Sequence, residues 1–301
     1  MAWTPVAVSI PVHGGDESRG PPRQMQFVDC DVATRATCDV WHGGRVPSTD
    51  VLAVTLTGGP TALIEIGGAR LLIDPTFDPP GDYPLGGGRT LTKTAPPAVA
   101  AADLGPVHAV LLSHDQHPDN LDRAGRQVLA QAPVVLTTAL GAERLGGRAR
   151  ALADGETVRV GPVEVTGVPA RHGPPGAEEF TGPVTGFVVH GVGLPTVYVS
   201  GDNASLECVD QVRAAFPQID VAVLFAGAAR TALFDGAPLT LTGVLAAEAV
   251  RRLDVPQVVV VHVDSWAHFS EDRDAVREAL DAAGLAGRLV DVPPGVRTPL
   301  R

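Results

Sequence analysis

Apolar and polar positions divide the chain into two stretches of different character. Residues 1–50 show no sustained period, and His13 to Arg23 holds Gly14, Gly15, Gly20, Pro21 and Pro22, the composition of a loop or extended arm. From Val51 the pattern changes. Val51–Thr57, Thr61–Ile66 and Ala69–Ile73 are short β-rich runs, parted by Gly58-Gly59-Pro60 and Gly67-Gly68, which suit tight hairpin turns. Pro75 to about Pro97 reads as irregular. Val107–Ser113 is a continuous apolar strand, Leu121–Ala132 has helical spacing, and Val134–Thr138 returns to strand. Further on, Val158–Val160 and Val163–Val168 make a hairpin about Gly161-Pro162, and Gly186–Val192 pairs with Thr196–Ser200. Three helix–strand units follow: Leu206–Phe216 with Val221–Phe225, Thr242–Leu253 with Gln257–His262, and Glu271–Ala283 with Arg288–Val292.

Each half thus opens with hairpins and continues as strand–helix alternation. That order predicts an α/β fold of two mixed sheets packed together with helices outside. No composition shift marks a second domain within residues 51–301. Residues 1–50 read as an N-terminal extension, a cap or an arm.

Composition removes several functions. The chain of 301 residues has 23 basic against 34 acidic side chains, a net charge of −11. Its one lysine is Lys93 and its arginines are dispersed, so a nucleic-acid partner, which needs Lys and Arg against phosphates, is not expected. No apolar run reaches the ~18 residues of a membrane span. Met1 to Val12 lacks a basic start and holds two prolines, unlike a cleaved signal peptide. Cys30, Cys38 and Cys208 are too few for a disulfide framework or a cysteine-rich zinc ribbon. A cytoplasmic protein is expected.

The polar residues carry the chemistry. In α/β architectures it sits on loops beyond the C-terminal ends of strands. Val107–Ser113 runs into His114-Asp115-Gln116-His117-Pro118-Asp119-Asn120, and Val163–Val168 leads through Pro169-Ala170-Arg171 to His172. Thr196–Ser200 ends in Gly201-Asp202-Asn203, and Gln257–Val261 ends in His262, with Asp264 and His268 soon after. Imidazoles and carboxylates gathered at one sheet edge are what a divalent ion requires, since its ligands must converge to about 2.0–2.2 Å.

These residues carry a family resemblance. Gly58-Gly59-Pro60-Thr61, Leu72-Ile73-Asp74-Pro75, Leu111-Leu112-Ser113-His114, Ala170-Arg171-His172-Gly173, Ser200-Gly201-Asp202-Asn203 and Val261-His262 with Trp266-Ala267-His268-Phe269 occur in the order seen in the metallo-β-lactamase superfamily, which residues 51 to 295 resemble. The resemblance implies a four-layer αββα sandwich with metal at one edge. It also implies His114, His117 and His172 on one ion, Asp119 and His262 on a second, and Asp202 bridging. Two divalent ions are implied, zinc first, with iron or manganese as alternatives. A metal-bound hydroxide would attack a carbonyl or phosphoryl centre. Asp119 would orient it or shuttle a proton, and His268 would act from the substrate side. Asp74 and Asp264 are candidate acceptors behind the ligand histidines.

The motif departs from the family's His-x-His-x-Asp-His. Gln116 and Pro118 break one register and Asn120 the other, unless the loop carries one extra residue. The ion nearest Asp119 would then lack an imidazole and could recruit Asn120, Asp115 or water, leaving one site weak or empty. Asp115 otherwise reads as a helix N-cap or a group behind the ligands. His13, His42, His108 and His190 lack converging partners, Cys208 reads as a packed side chain, and Ser113 lacks a nucleophile's setting. The leading expectation is a hydrolase of a small ester, thioester, lactone or amide. Phosphodiester hydrolysis of a non-nucleic-acid substrate, and an iron oxidoreductase or degenerate metal-binding protein, stay open. Pro75–Pro97, Gly173–Pro183 and Phe225–Pro238 are candidate walls of a pocket for an uncharged, apolar substrate. Residues 1–50 could cap that pocket or mediate homodimerisation.

Overall fold

A computed structural model describes residues 50–301; the extension up to residue 49, with His13, His42, Cys30 and Cys38, lies outside the described residues. Among the described residues the backbone forms two large mixed sheets and a separate hairpin. The first sheet has the order Thr298–Leu300, Leu52–Gly58, Thr61–Ile66, Ala69–Ile73, Ala109–Leu111, Val135–Thr137, Ala149–Ala151. It is antiparallel through Ala69–Ile73 and parallel beyond. The second runs Gln257–Val261, Val221–Phe225, Val197–Val199, Thr185–His190, Val163–Pro169, Thr157–Val160. In that order its first two pairings are parallel and the other three antiparallel.

Period-two alternation explains why both sheets are covered on both faces. Leu71 and Ile73, Val221 and Val223, and Val259 and Val261 point into one shared core between the sheets. Their neighbours Leu72, Ala222, Val258 and Val260 point outward under helices. Strands buried on both faces read as unbroken apolar runs, which is how Val221–Phe225 and Gln257–Val261 looked in sequence. Arg123–Gln131 covers the outer face of the first sheet; Leu206–Ala215, Gly243–Leu253 and Arg273–Ala282 cover that of the second. The result is the expected four-layer sandwich.

Three local expectations are corrected. Arg288–Val292 is not a strand: Ala286–Arg288 forms a 3-10 turn and only Leu289 makes a lone bridge to Val258. The closing strand is Thr298–Leu300, paired antiparallel with Leu52–Val54. Pro299 hid it, although a sheet edge tolerates a residue without an amide hydrogen. Within Pro75–Pro97, Gly81–Gly86 and Arg89–Lys93 pair as a hairpin. Tyr83 and Leu91 are its only buried apolar side chains, packing beside Trp266, so the apolar pattern is faint. Helix Ala139–Leu145 and strand Ala149–Ala151 are too short for periodicity to register.

Candidate metal centre

The sheet edge fixes each polar side chain by a local device. The loop from His114 ends at Asp122, whose carboxylate accepts the Gly125 amide at 2.8 Å and caps helix Arg123–Gln131. A Cβ on Gly125 would lie 1.9 Å from the Pro75 carbonyl oxygen, so only glycine lets this helix start so close. Gly201, beside Asp202, has φ +56° and its Cβ would lie 2.6 Å from the Thr185 carbonyl oxygen. His262 itself adopts φ 61°, a costly conformation for a side-chain-bearing residue and a mark of functional sites. Its amide donates to Gly59 O at 2.7 Å, and the Gly59 amide donates to Asp264 Oδ1 at 2.7 Å. Asp264 thus holds the backbone beneath His262 and not an imidazole, as the sequence had suggested.

The side chains converge in two groups that share Asp202. Donor atoms of His114, His117, His172 and Asp202 all lie within 4.8 Å of one another, and so do those of Asp119, Asp202 and His262. His114 Nε2 is 2.8 Å from His117 Nδ1, and His172 Nε2 is 3.5 Å from Asp202 Oδ2. His262 Nε2 is 3.3 Å from Asp119 Oδ2 and 3.5 Å from Asp202 Oδ1. Ligands about 2.1 Å from one tetrahedral ion sit ~3.4 Å apart, so most of these separations match a coordination edge. Among the described residues, Asp119 Oδ1, Asp202 Oδ2 and both ring nitrogens of His262 are buried with no hydrogen-bond partner. Leaving such atoms unpaired is expensive, and a cation would satisfy them, so the donor set fits metal ions.

Protonation favours the same reading. Burial, with the neighbouring imidazoles, pushes His114 well below the usual histidine range and His117 down to about 4, so both are neutral donors. Burial opposes ionisation of Asp119 and Asp202, but His268 and His262 around the first, and His262, His172 and His114 around the second, outweigh it and hold both carboxyls low. Burial likewise disfavours a charged His262, yet Asp202 and Asp119 raise it. His114 and His117 therefore offer neutral imidazoles and Asp119 and Asp202 ionised carboxylates, while His262 is the imidazole whose hold on a proton is strengthened.

Comparison with known proteins agrees with the edge geometry. A family model described as the beta-lactamase superfamily domain matches residues 69–263, well over half of the chain. The chain belongs to the metallo-β-lactamase superfamily. It is 28% identical, over 239 residues, to a UPF0173 metal-dependent hydrolase of Methanosphaerula palustris, covering 76% of this chain and 92% of that protein. In fold it is similar to a possible metal-dependent hydrolase from Veillonella parvula, with TM-score 0.73, 18% identity, 83% of this chain and 100% of the other. An isothiocyanate hydrolase from Delia radicum gut bacteria gives TM-score 0.70 at 21% identity, covering 82% and 98%.

Against the superfamily's motif, Asn120 is the informative departure. Its side-chain amide donates to Asp202 Oδ1 at 3.0 Å and to Asp74 Oδ2 at 3.1 Å. It orients the shared carboxylate from behind. Asp74 also accepts the Ser113 amide at 2.7 Å and the Ser113 hydroxyl at 2.6 Å, and that hydroxyl lies 3.0 Å from His114 Nδ1. Asp74 therefore reaches His114 through Ser113, while burial pushes its own carboxyl up to about 7 against three donors that favour the anion. The Nδ1 of His172 sits 2.8 Å from the Leu239 carbonyl oxygen. Asp115 is neither an N-cap nor a member of either group: Arg144 clamps its carboxylate, through Nε at 2.9 Å and through a terminal nitrogen. His268 Nε2 lies 3.0 Å from Asp119 Oδ2, outside both groups. His108 and His190 are remote: the first accepts the Arg70 amide at 3.0 Å, the second neighbours Thr166 and Glu164.

In this superfamily member the candidate metal edge opens into a small cleft. His117, Asp119, His172 and His268 line its floor, and the walls include Leu85, Leu91, Phe180, Leu233, Phe234 and Leu239. All three Gly/Pro-rich segments contribute. The 81–93 hairpin is tied to the segment carrying His268 by backbone bonds, Thr94 to Ser265 at 2.8 Å and Ala267 to Thr92 at 2.9 Å. Lys93, the single lysine, is buried, 3.3 Å from Asp122 and over the Trp266 ring. It pins the hairpin to the cap of the helix that follows the metal loop. Nothing in the sequence marked this role except the residue's rarity.

Proposed function

We propose that the protein is a metal-dependent hydrolase of a small organic substrate, an ester, thioester, lactone or amide with an apolar body. The observation that supports this most is the placement of two metal-fitting clusters at the floor of an apolar cleft. In this reading His114, His117 and His172 hold one ion, Asp119 and His262 a second, and Asp202 both. Such ions, when bound, activate water near neutral pH and stabilise a developing oxyanion.

The remaining work falls to the chain's own groups. The apolar walls seat the substrate body and exclude bulk water from the floor. Asn120 and Asp74 keep the Asp202 carboxylate turned toward both clusters. His268 and Asp119 hold a proton between Nε2 and Oδ2 at the cleft floor, within reach of a leaving group. The walls leave little to recognise a polyanion, which favours this reading over phosphodiester cleavage.

The test is elemental analysis of protein purified without added metal, joined to turnover of a panel of thioesters, lactones, esters and an isothiocyanate before and after chelation. Bound metal with chelation-sensitive turnover is expected. Turnover that survives complete metal removal contradicts the proposal. Iron with oxygen consumption, and no hydrolysis across the panel, would point instead to an oxidoreductase.

A further inference from the structure

Arg89 is the one Lys or Arg side chain among the residues lining the cleft. It starts the second strand of the 81–93 hairpin, opposite Gly86. Among the described residues its side chain has no hydrogen bond or ion pair, whereas Arg70, Arg123, Arg144, Arg150, Arg171, Arg252 and others each reach a carboxylate. A shortage of acids does not explain this, since the chain carries 34 acidic against 23 basic residues. An unpaired guanidinium on a mostly apolar wall is a ready partner for an anion, and the hairpin's root is fixed to the His268 segment.

We propose that Arg89 makes the cleft selective for substrates bearing a carboxylate on an apolar body. This rests on the hydrolase reading for the reaction, but not for the binding. The planar fork of arginine matches a carboxylate with two parallel hydrogen bonds. Arg89 is exposed at the cleft rim, so water screens that pair, and its fork geometry more than its strength selects the carboxylate. A single guanidinium balances a monoanion; a dianionic phosphate would leave net charge against Leu85, Leu91 and Phe234. The expectation of an uncharged substrate is thereby revised to one with a charged end.

The experiment is calorimetric titration of the protein as purified with 4-phenylbutyrate and with its neutral amide, 4-phenylbutyramide, in wild type, Arg89→Lys and Arg89→Met. Phenylbutyrate should bind wild type more tightly than the amide does, and Arg89→Met should weaken it roughly 2- to 5-fold while leaving the amide unchanged. Arg89→Lys should fall between. Equal binding of phenylbutyrate to wild type and Arg89→Met overturns the proposal, because the carboxylate would then sit on metal or not in the cleft. No preference for phenylbutyrate over the amide overturns it as well. Because binding is read without turnover, Arg89-dependent binding with no hydrolysis would sink the hydrolase reading alone. Equal hydrolysis of matched neutral and anionic esters would sink the Arg89 assignment alone.

Discussion

The two clusters share Asp202 yet differ in kind. One brings three imidazoles to that carboxylate, His114, His117 and His172; the other brings one imidazole, His262, and a second carboxylate, Asp119. Where the superfamily motif would supply a further imidazole to the second cluster, Asn120 spends its amide hydrogens on Asp202 and Asp74. The contrast extends to protons. His114 and His117 are kept neutral by burial, while His262 is raised by the two carboxylates it faces. Nitrogen-rich sites suit zinc, and oxygen-richer ones accept harder ions such as manganese. With an ion in each, the His-rich cluster should fill first and the second should be more loosely held.

Three substitutions probe that contrast. Asp202→Ala removes the shared ligand, so elemental analysis should show both ions lost and activity at background. His268→Ala should leave metal content intact but lower kcat by roughly 10²–10⁴-fold, the usual worth of a positioned proton donor. If the metal content falls with it, His268 is a ligand and the second cluster is not short of an imidazole. Asn120→Ala should weaken the second ion about 10- to 100-fold, as loss of an orienting partner does, and spare the first. Equal weakening of both would mean that Asn120 acts on Asp202 as a whole and not on one side of it.

The pH dependence separates the clusters by sign. Protons compete with a metal ion at His262, whose proton affinity Asp202 and Asp119 raise, so the second cluster should lose metal first as pH falls. His117 needs no deprotonation until pH nears about 4, and burial holds His114 well below the usual histidine range, so their cluster should hold metal further into acid. Metal retention measured by dialysis across that range checks the order of loss.

The sequence disclosed the floor of the site better than its walls. His114, His172, Asp202 and His262 follow apolar strand runs, and a strand end is a fixed address that periodicity finds. The loop from His114 to Asn120 was ambiguous because its register is set by contacts made elsewhere, above all by Asp74 and the Asp122 cap. Asp115 looked like a cap and is held instead by Arg144 from helix Ala139–Leu145, which was itself too short to see. Arg89 and Lys93 were hidden for a similar reason. Their hairpin buries little of its own surface and gains its place by pairing with the segment around Trp266, a partner far away in sequence.

A competitive zinc titration of metal-free protein at neutral pH against a chromophoric chelator reads the inequality of the two clusters. Two separated binding steps are expected, with Asn120→Ala shifting only the weaker one. Two equal steps, or a single step that Asn120→Ala leaves unchanged, would contradict it.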